Sequence, residues 1–146
     1  MRYAVKPGMQ LATIDAQKRV VVVPLAQAGQ GSYDGQGRNL YFTRLPVLFS
    51  HTKRYKGGSV QNIWKYAAGQ EAQLLTADYD GTSKNPMWWN SRVYFLSDRD
   101  GTMNLWSMDE SGKNLRQHTK HQGWDIQDAS LSQGRIVYQK IGRAHV

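Results

Sequence analysis

Lys53, Arg54, Tyr55 and Lys56, followed directly by Gly57-Gly58, put three cations and an aromatic ring on one short stretch whose glycines let the backbone turn closely. Such a set can grip a carboxylate, or a row of peptide carbonyls, through charge-assisted hydrogen bonds. These four residues are the candidate substrate-binding set, although a solvated loop, or one that docks a neighbouring domain, draws on the same residue types. The histidines offer less. No Gly-x-Ser-x-Gly elbow accompanies His51, His118 or His121, and the last two fall in a polar connection between strands, where solvent-facing turn residues are the ordinary outcome. His118-x-x-His121 has no third ligand at a spacing that would hold a metal. The sequence predicts no catalytic residue, no metal site and no cofactor in this chain.

The elements that must position these residues are strands. The stretch from Asn85 to Asp109 reads as one β-hairpin module: Val93–Ser97 and Met103–Met108 are rich in β-branched and aromatic residues, and Asp98-Arg99-Asp100-Gly101 between them supplies the Asp-Gly of a tight turn. Val93-Tyr94-Phe95-Leu96 is apolar without alternation, which suits a strand covered on both faces. The module recurs. Leu11-Ala12-Thr13-Ile14-Asp15, Ile63-Trp64-Lys65-Tyr66 and Leu105-Trp106-Ser107-Met108-Asp109 are spaced by 52 and 42 residues. Leu40-Tyr41-Phe42, Val93-Tyr94-Phe95 and Ile136-Val137-Tyr138 are spaced by 53 and 43, so one unit carries an insertion of about ten residues. All-strand repeats of roughly 40 to 50 residues point to an all-β chain of β-propeller blades, about three of them, rather than a solenoid or sandwich. No segment shows a helical apolar stripe. Trp64, Trp88, Trp89, Trp106 and Trp124 read as core and inter-blade packing.

The insertion falls around the cations. Sixteen residues separate Leu45 from Asn62, against four in the Asp98–Gly101 turn, and extra loop length on a rigid scaffold is where function concentrates. A formal charge of +8 invites a nucleic-acid reading, yet no basic run exceeds two adjacent residues, and the aromatics fall on blade strands instead of one stacking platform. Nucleic acid is not an expected partner. No apolar run approaches the roughly 18 residues of a membrane span, and the start lacks the layout of a secretory signal. The absence of cysteine fits cytoplasm or periplasm equally. Three blades leave strand faces uncovered at both ends, so a fragment is expected.

The end of the chain is read separately. Ile141-Gly142-Arg143-Ala144-His145-Val146 resembles the in-frame translation of a common short-read sequencing adapter, and Lys140 fits the bases preceding it. The expected division is a partial propeller over residues 1–139 and a non-native tail over 140–146. Without Lys140 and Arg143 the formal charge falls from +8 to +6.

Ser50-His51-Thr52-Lys53-Arg54-Tyr55-Lys56-Gly57-Gly58-Ser59-Val60-Gln61-Asn62-Ile63-Trp64 resembles the tricorn protease family. The likeness continues through Ala77–Ser83, the hairpin described above and Gly112–Thr119, and upstream through Pro24–Ala28 and Leu40–Leu45. Val47-Leu48-Phe49 departs from the more polar approach to the loop expected of that family. The resemblance implies a large serine peptidase with an N-terminal six-bladed propeller, a second propeller and a distant hydrolase region carrying a PDZ module and the catalytic Ser and His. This chain would correspond to part of the first propeller, a non-catalytic portion that guides or docks peptide substrates. Its implied partners are those peptides, the remaining blades and hydrolase domains of the parent chain, and further copies in a homo-oligomer. The cytoplasm is the first expectation for compartment, with the periplasm the alternative if an upstream signal peptide is missing. A TolB-like propeller that scaffolds protein contacts in the periplasm is the competing reading, since the Pro86–Asp109 repeat is shared with that family.

Overall fold

In the computed structural model, residues 10–25, 28–44 and 60–142 are described. Every regular element among them is a strand, and every pairing is antiparallel. One four-stranded sheet runs β3 (Ala28–Tyr33), β4 (Asn39–Arg44), β5 (Asn62–Ala67) and β6 (Gln73–Leu74), each beside its sequence neighbour. A second repeats the order with β7 (Ser83–Trp89), β8 (Arg92–Ser97), β9 (Asn104–Asp109) and β10 (Arg116–Gln117). Two-stranded sheets lie on either side: β1 (Ala12–Ile14) with β2 (Val20–Val22), and β11 (Trp124–Ser132) with β12 (Arg135–Gly142).

One recurring hydrogen bond sets the phase of the repeat. Val23 N donates to Leu11 O at 2.7 Å, Leu75 N to Ile63 O at 2.9 Å and His118 N to Leu105 O at 2.8 Å. Leu11, Ile63 and Leu105 are therefore equivalent, as their spacing predicted, and β1–β2 is the outer half of a blade. Leu40, Val93 and Ile136 likewise all fall on second strands, β4, β8 and β12.

The turns follow from residue types that accept a left-handed backbone. Gly101 closes the predicted Asp98–Gly101 turn at φ 95°, a conformation that a Cβ penalises. The stretch predicted as a single hairpin contains one more strand: Asn90 (φ 46°) and Ser91 (φ 65°) form a tight turn that splits off β7. Asp109 organises another turn. Its Oδ1 accepts from the amides of Ser111 and Lys113, both at 2.9 Å, and from the Ser111 hydroxyl at 2.6 Å, while Oδ2 accepts from Asn114 Nδ2 at 2.6 Å. These bonds, the Ser111 hydroxyl first, hold its carboxyl well below the usual carboxylate range.

The core lies between blades. Tyr41 and Ile63 of the first sheet pack with Val93, Phe95 and Met108 of the second. On the other side, Met87, Leu96 and Leu105 meet Ile126 and Ala129 of β11. Strand β8 thus buries Val93 and Phe95 in one cluster and Leu96 in the next, which is why its apolar run does not alternate. Of the tryptophans, Trp88 and Trp106 pack against the first of these clusters and Trp64 against a third, beneath Leu40 and Phe42. Trp124 departs from the packing expectation: it is 45% exposed, with Lys140 Nζ 4.9 Å from its ring centroid, because it sits on a two-stranded sheet.

Candidate functional site: the axial wall of the blades

The first strands of the blades, β3, β7 and β11, have a sheet partner on one side only, and hydrogen bonds join them to one another across blades, so their other edges face the propeller axis. Open strand edges offer free backbone groups and invite pairing with any extended chain. Here side chains of the preceding blade occupy those groups. Asn85 N donates to Gln30 Oε1 at 3.1 Å and Trp88 N to Ser32 Oγ at 3.1 Å, joining the second blade to the first. One blade further, Ala129 N donates to Asn85 Oδ1 at 3.2 Å while Asn85 Nδ2 donates to Ala129 O at 3.0 Å.

Local backbone irregularity makes this ladder possible. Each inner strand carries a bulge, between Gly29 and Ser32, between Lys84 and Met87, and between Ile126 and Asp128. A bulge re-aims side chains that would otherwise stand perpendicular to the sheet. Gln30 (φ 46°) and Asn85 (φ 59°) sit in two of these bulges with left-handed backbones, and both point at the next blade. Pro86, which has no N–H to give, is accommodated at the second bulge on an edge strand. The three strands enclose a groove of about 380 Å³ whose polar lining includes Gln30, Ser32, Asn85, Asp128 and Ser130.

Glu110 fastens the same two blades further out. Its Oε2 accepts from Trp88 Nε1 at 2.9 Å and from the Tyr41 hydroxyl at 3.4 Å, and its backbone carbonyl accepts from Lys65 Nζ at 3.1 Å. The Asp109-centred turn presents Glu110 for this contact. Burial first, and then the Glu110 charge, push the Tyr41 phenol above its ordinary range. Close packing continues to the first blade's hairpin: a Cβ on Gly35 would lie 2.9 Å from the Trp88 ring.

Inside the second blade Arg99, on the predicted turn, folds back over Tyr79, Phe95 and Trp106, at 5.0, 5.4 and 5.5 Å from their centroids. Its guanidinium donates to Ser97 Oγ, Ser83 Oγ and Asp78 Oδ2. Tyr79 in turn donates to Asp98 Oδ1 at 2.7 Å, so the segment entering β7 is strapped to the β8–β9 turn.

A Ser–His contact exists, and its geometry is that of a strut. Ser107 Oγ lies 2.7 Å from His118 Nε2, but Arg92 donates to the same oxygen through Nε at 3.0 Å and NH2 at 2.9 Å. With two donors facing it, the hydroxyl directs its own hydrogen to Nε2, which requires a neutral ring protonated at Nδ1. Burial, followed by the charges of Arg92 and Arg116, lowers the His118 pKa accordingly. Ser107 is wholly buried, beyond the reach of a substrate. His121, predicted to face solvent, has Nε2 3.0 Å from the Tyr138 hydroxyl.

Lys53, Arg54, Tyr55 and Lys56, with Ser50 and His51, lie outside the described residues. Sequence reasoning overlooked the axial ladder and also a lock within each four-stranded sheet. Asn62 Oδ1 accepts from Thr76 Oγ1 at 3.2 Å, and Thr76 Oγ1 accepts from Ile63 N at 3.1 Å. Asn104 Oδ1 accepts from Thr119 Oγ1 at 2.7 Å, and that oxygen accepts from Leu105 N at 2.8 Å. The signal was present as Asn-Ile-Trp and Asn-Leu-Trp, with a Thr 14 residues after Asn62 and 15 after Asn104.

Antiparallel four-stranded sheets, stacked face to face with their first strands converging on a polar axis, define a β-propeller. The family described as the tricorn protease N-terminal beta propeller domain matches residues 3–146, and the chain belongs to that family. A tricorn protease homolog from Saccharolobus solfataricus is 40% identical over 90 residues, which cover 62% of this chain and 8% of that protein. The tricorn protease of Thermoplasma acidophilum is 30% identical over 110 residues, covering 75% of this chain and 10% of the other. The crystal structure of the tricorn protease superposes with a TM-score of 0.68 at 25% identity, over 90% of this chain and 13% of that one. A candidate TolB from Agrobacterium tumefaciens shares the fold, with a TM-score of 0.64 at 12% identity over 91% of this chain and 50% of its own. The chain spans about a tenth of the length of these curated relatives.

Proposed function

We propose that this chain is a non-catalytic propeller portion of a tricorn-like serine peptidase, and that it guides or docks peptide substrates for cleavage elsewhere in the parent protein. The observation that carries the reading is the axial groove. The amides of Asn85, Trp88 and Ala129 along its walls are already occupied, so an extended peptide passing along it meets side-chain amides and hydroxyls there and finds fewer backbone donors to pair with as an added strand. A path that holds peptides weakly suits passage better than storage. Within the same reading, Lys53, Arg54, Tyr55 and Lys56 form the loop that steers carboxylate-ended peptides.

Ser130 lines the groove and is exposed, so Ser130→Trp narrows it without removing a ladder bond. In the full-length parent chain this variant is expected to slow cleavage of peptides of ten or so residues while sparing a dipeptide-sized chromogenic substrate. Equal rates for both substrate lengths in the variant and the unaltered protein would reject a guiding role for the groove.

A further inference from the structure

Trp88 takes part in two links between the first and second four-stranded sheets. Its amide donates to Ser32 Oγ at 3.1 Å on the axial wall, and its indole Nε1 donates to Glu110 Oε2 at 2.9 Å further out. The ring has little room to shift. A Cβ on Gly35 would lie 2.9 Å from it, and Tyr41, wholly buried in the cluster on which the ring packs, donates its hydroxyl to the same Glu110 oxygen at 3.4 Å. Glu110 is itself held in place. Lys65 Nζ donates to its carbonyl at 3.1 Å, and the turn that carries it presses on the first blade, where a Cβ on Gly112 would lie 2.9 Å from Leu75 O. All of these partners belong to the two four-stranded sheets and the segments that border them, so the arrangement does not depend on the flanking two-stranded sheets.

A residue's amide and side chain share one Cα, so clamping the indole also sets where the amide points. The Trp88 amide lies on the axial edge of β7, where an unoccupied N–H would pair with an extended chain. Its bond to Ser32 prevents that. We propose that Glu110 is a positioning residue for the axial groove: through the Trp88 indole it holds the Trp88 amide on Ser32 and keeps this stretch of wall closed to strand pairing. Ser32 and Trp88 line the groove, and Glu110 reaches it through Trp88. The inference rests on the peptide-guiding reading and adds to it the residue that controls how tightly the wall holds a passing chain.

The test measures kcat and KM in the full-length parent chain for a peptide of about ten residues and for a dipeptide-sized chromogenic substrate, alongside unfolding midpoints. Ser32→Ala removes the acceptor and frees the Trp88 amide directly. Glu110→Ala removes the indole's partner, Trp88→Phe removes the donor while keeping a ring, and Glu110→Gln keeps an oxygen that accepts. For the long peptide, Ser32→Ala, Glu110→Ala and Trp88→Phe are each expected to lower KM and kcat together. The change relative to the short substrate should be about 2- to 30-fold, the range over which linked side chains modulate a distant site. Both constants fall because strand pairing holds the bound peptide more tightly without aiding the transition state. Glu110→Gln should match the unaltered protein, and Glu110→Ala added to Ser32→Ala should do no more than Ser32→Ala alone. If Glu110→Ala does not fold, Trp88→Phe carries the same comparison. Long-peptide constants unchanged in Glu110→Ala and Trp88→Phe, whatever their midpoints, would overturn the positioning role. A response in Ser32→Ala or Ser130→Trp would then leave peptide guiding intact, and its absence in both would remove guiding as well.

Discussion

Asn85 clasps Ala129 from both sides, its amide nitrogen 3.0 Å from the Ala129 carbonyl and its amide oxygen 3.2 Å from the Ala129 nitrogen. The two residues belong to adjacent blades and are 44 positions apart in sequence. Truncating the clasp leaves the buried Ala129 carbonyl without its Asn85 donor, at a cost of about 1 to 3 kcal/mol, while Ala129 N keeps its contact with Asp128 Oδ1. Asn85→Ala is therefore expected to destabilise a complete propeller by about 1 to 3 kcal/mol, and Asn85→Asp by at least as much, because it sets a buried carboxylate oxygen against the Ala129 carbonyl. Denaturant melts would check this, and a loss below about 0.5 kcal/mol in the Ala variant would contradict the assignment.

Phe95 and Lys113 make a control pair. Phe95 is fully buried between two blades, so Phe95→Ala should cost on the order of 3 kcal/mol as a core truncation. The Lys113 side chain is exposed, and its turn contact uses the backbone amide, so Lys113→Ala should cost almost nothing. Comparable midpoints for the two variants would refute the blade packing described above.

His118 makes stability depend on pH. Its pKa in the folded state lies below the ordinary 6.5, so between these two values the unfolded chain binds more protons than the folded one. The contribution is complete above about pH 6.5 and declines as pH falls toward the depressed folded value. Thermal melts at pH 7.5 and 5.5 should show a drop that is smaller in His118→Gln, after normalising each protein to its own value at pH 7.5. An identical pH dependence in both would show that the ring titrates freely.

The loop cations give a prediction for the intact parent protein. Exposed contacts are weak singly, so replacing Lys53, Arg54 and Lys56 together by Ala should weaken binding of carboxylate-ended peptides by about 1 to 2 kcal/mol in total. The effect should shrink at high salt. A docking role would instead leave peptide affinity alone and change oligomer size by light scattering. If affinity, salt dependence and assembly all stay the same, the loop has no binding role.

Strand phase was legible from one dimension because it is a local property repeated three times. Leu11, Ile63 and Leu105 each accept the same backbone bond, so a recurring spacing in the chain becomes a common place in the blade. The Asp98–Gly101 turn was equally plain, since Gly101 supplies a backbone conformation that few residue types tolerate. The unalternating run in β8 correctly announced a strand with two covered faces.

What tertiary structure decided was the meaning of the polar residues. Gln30, Asn85 and Asp128 are ordinary amides and an acid that, in residue order, give no sign of a shared place. Whether Asn85 meets solvent or Ala129 depends on a bulge that turns its side chain and on the distance between two sheets, neither of which has a signature in residue order. The repeat in the sequence specified the blades because their hydrogen bonds close within some fifty residues. The axial wall arose only when separate blades stacked, bringing together polar groups whose pairing depends on relative orientation in space.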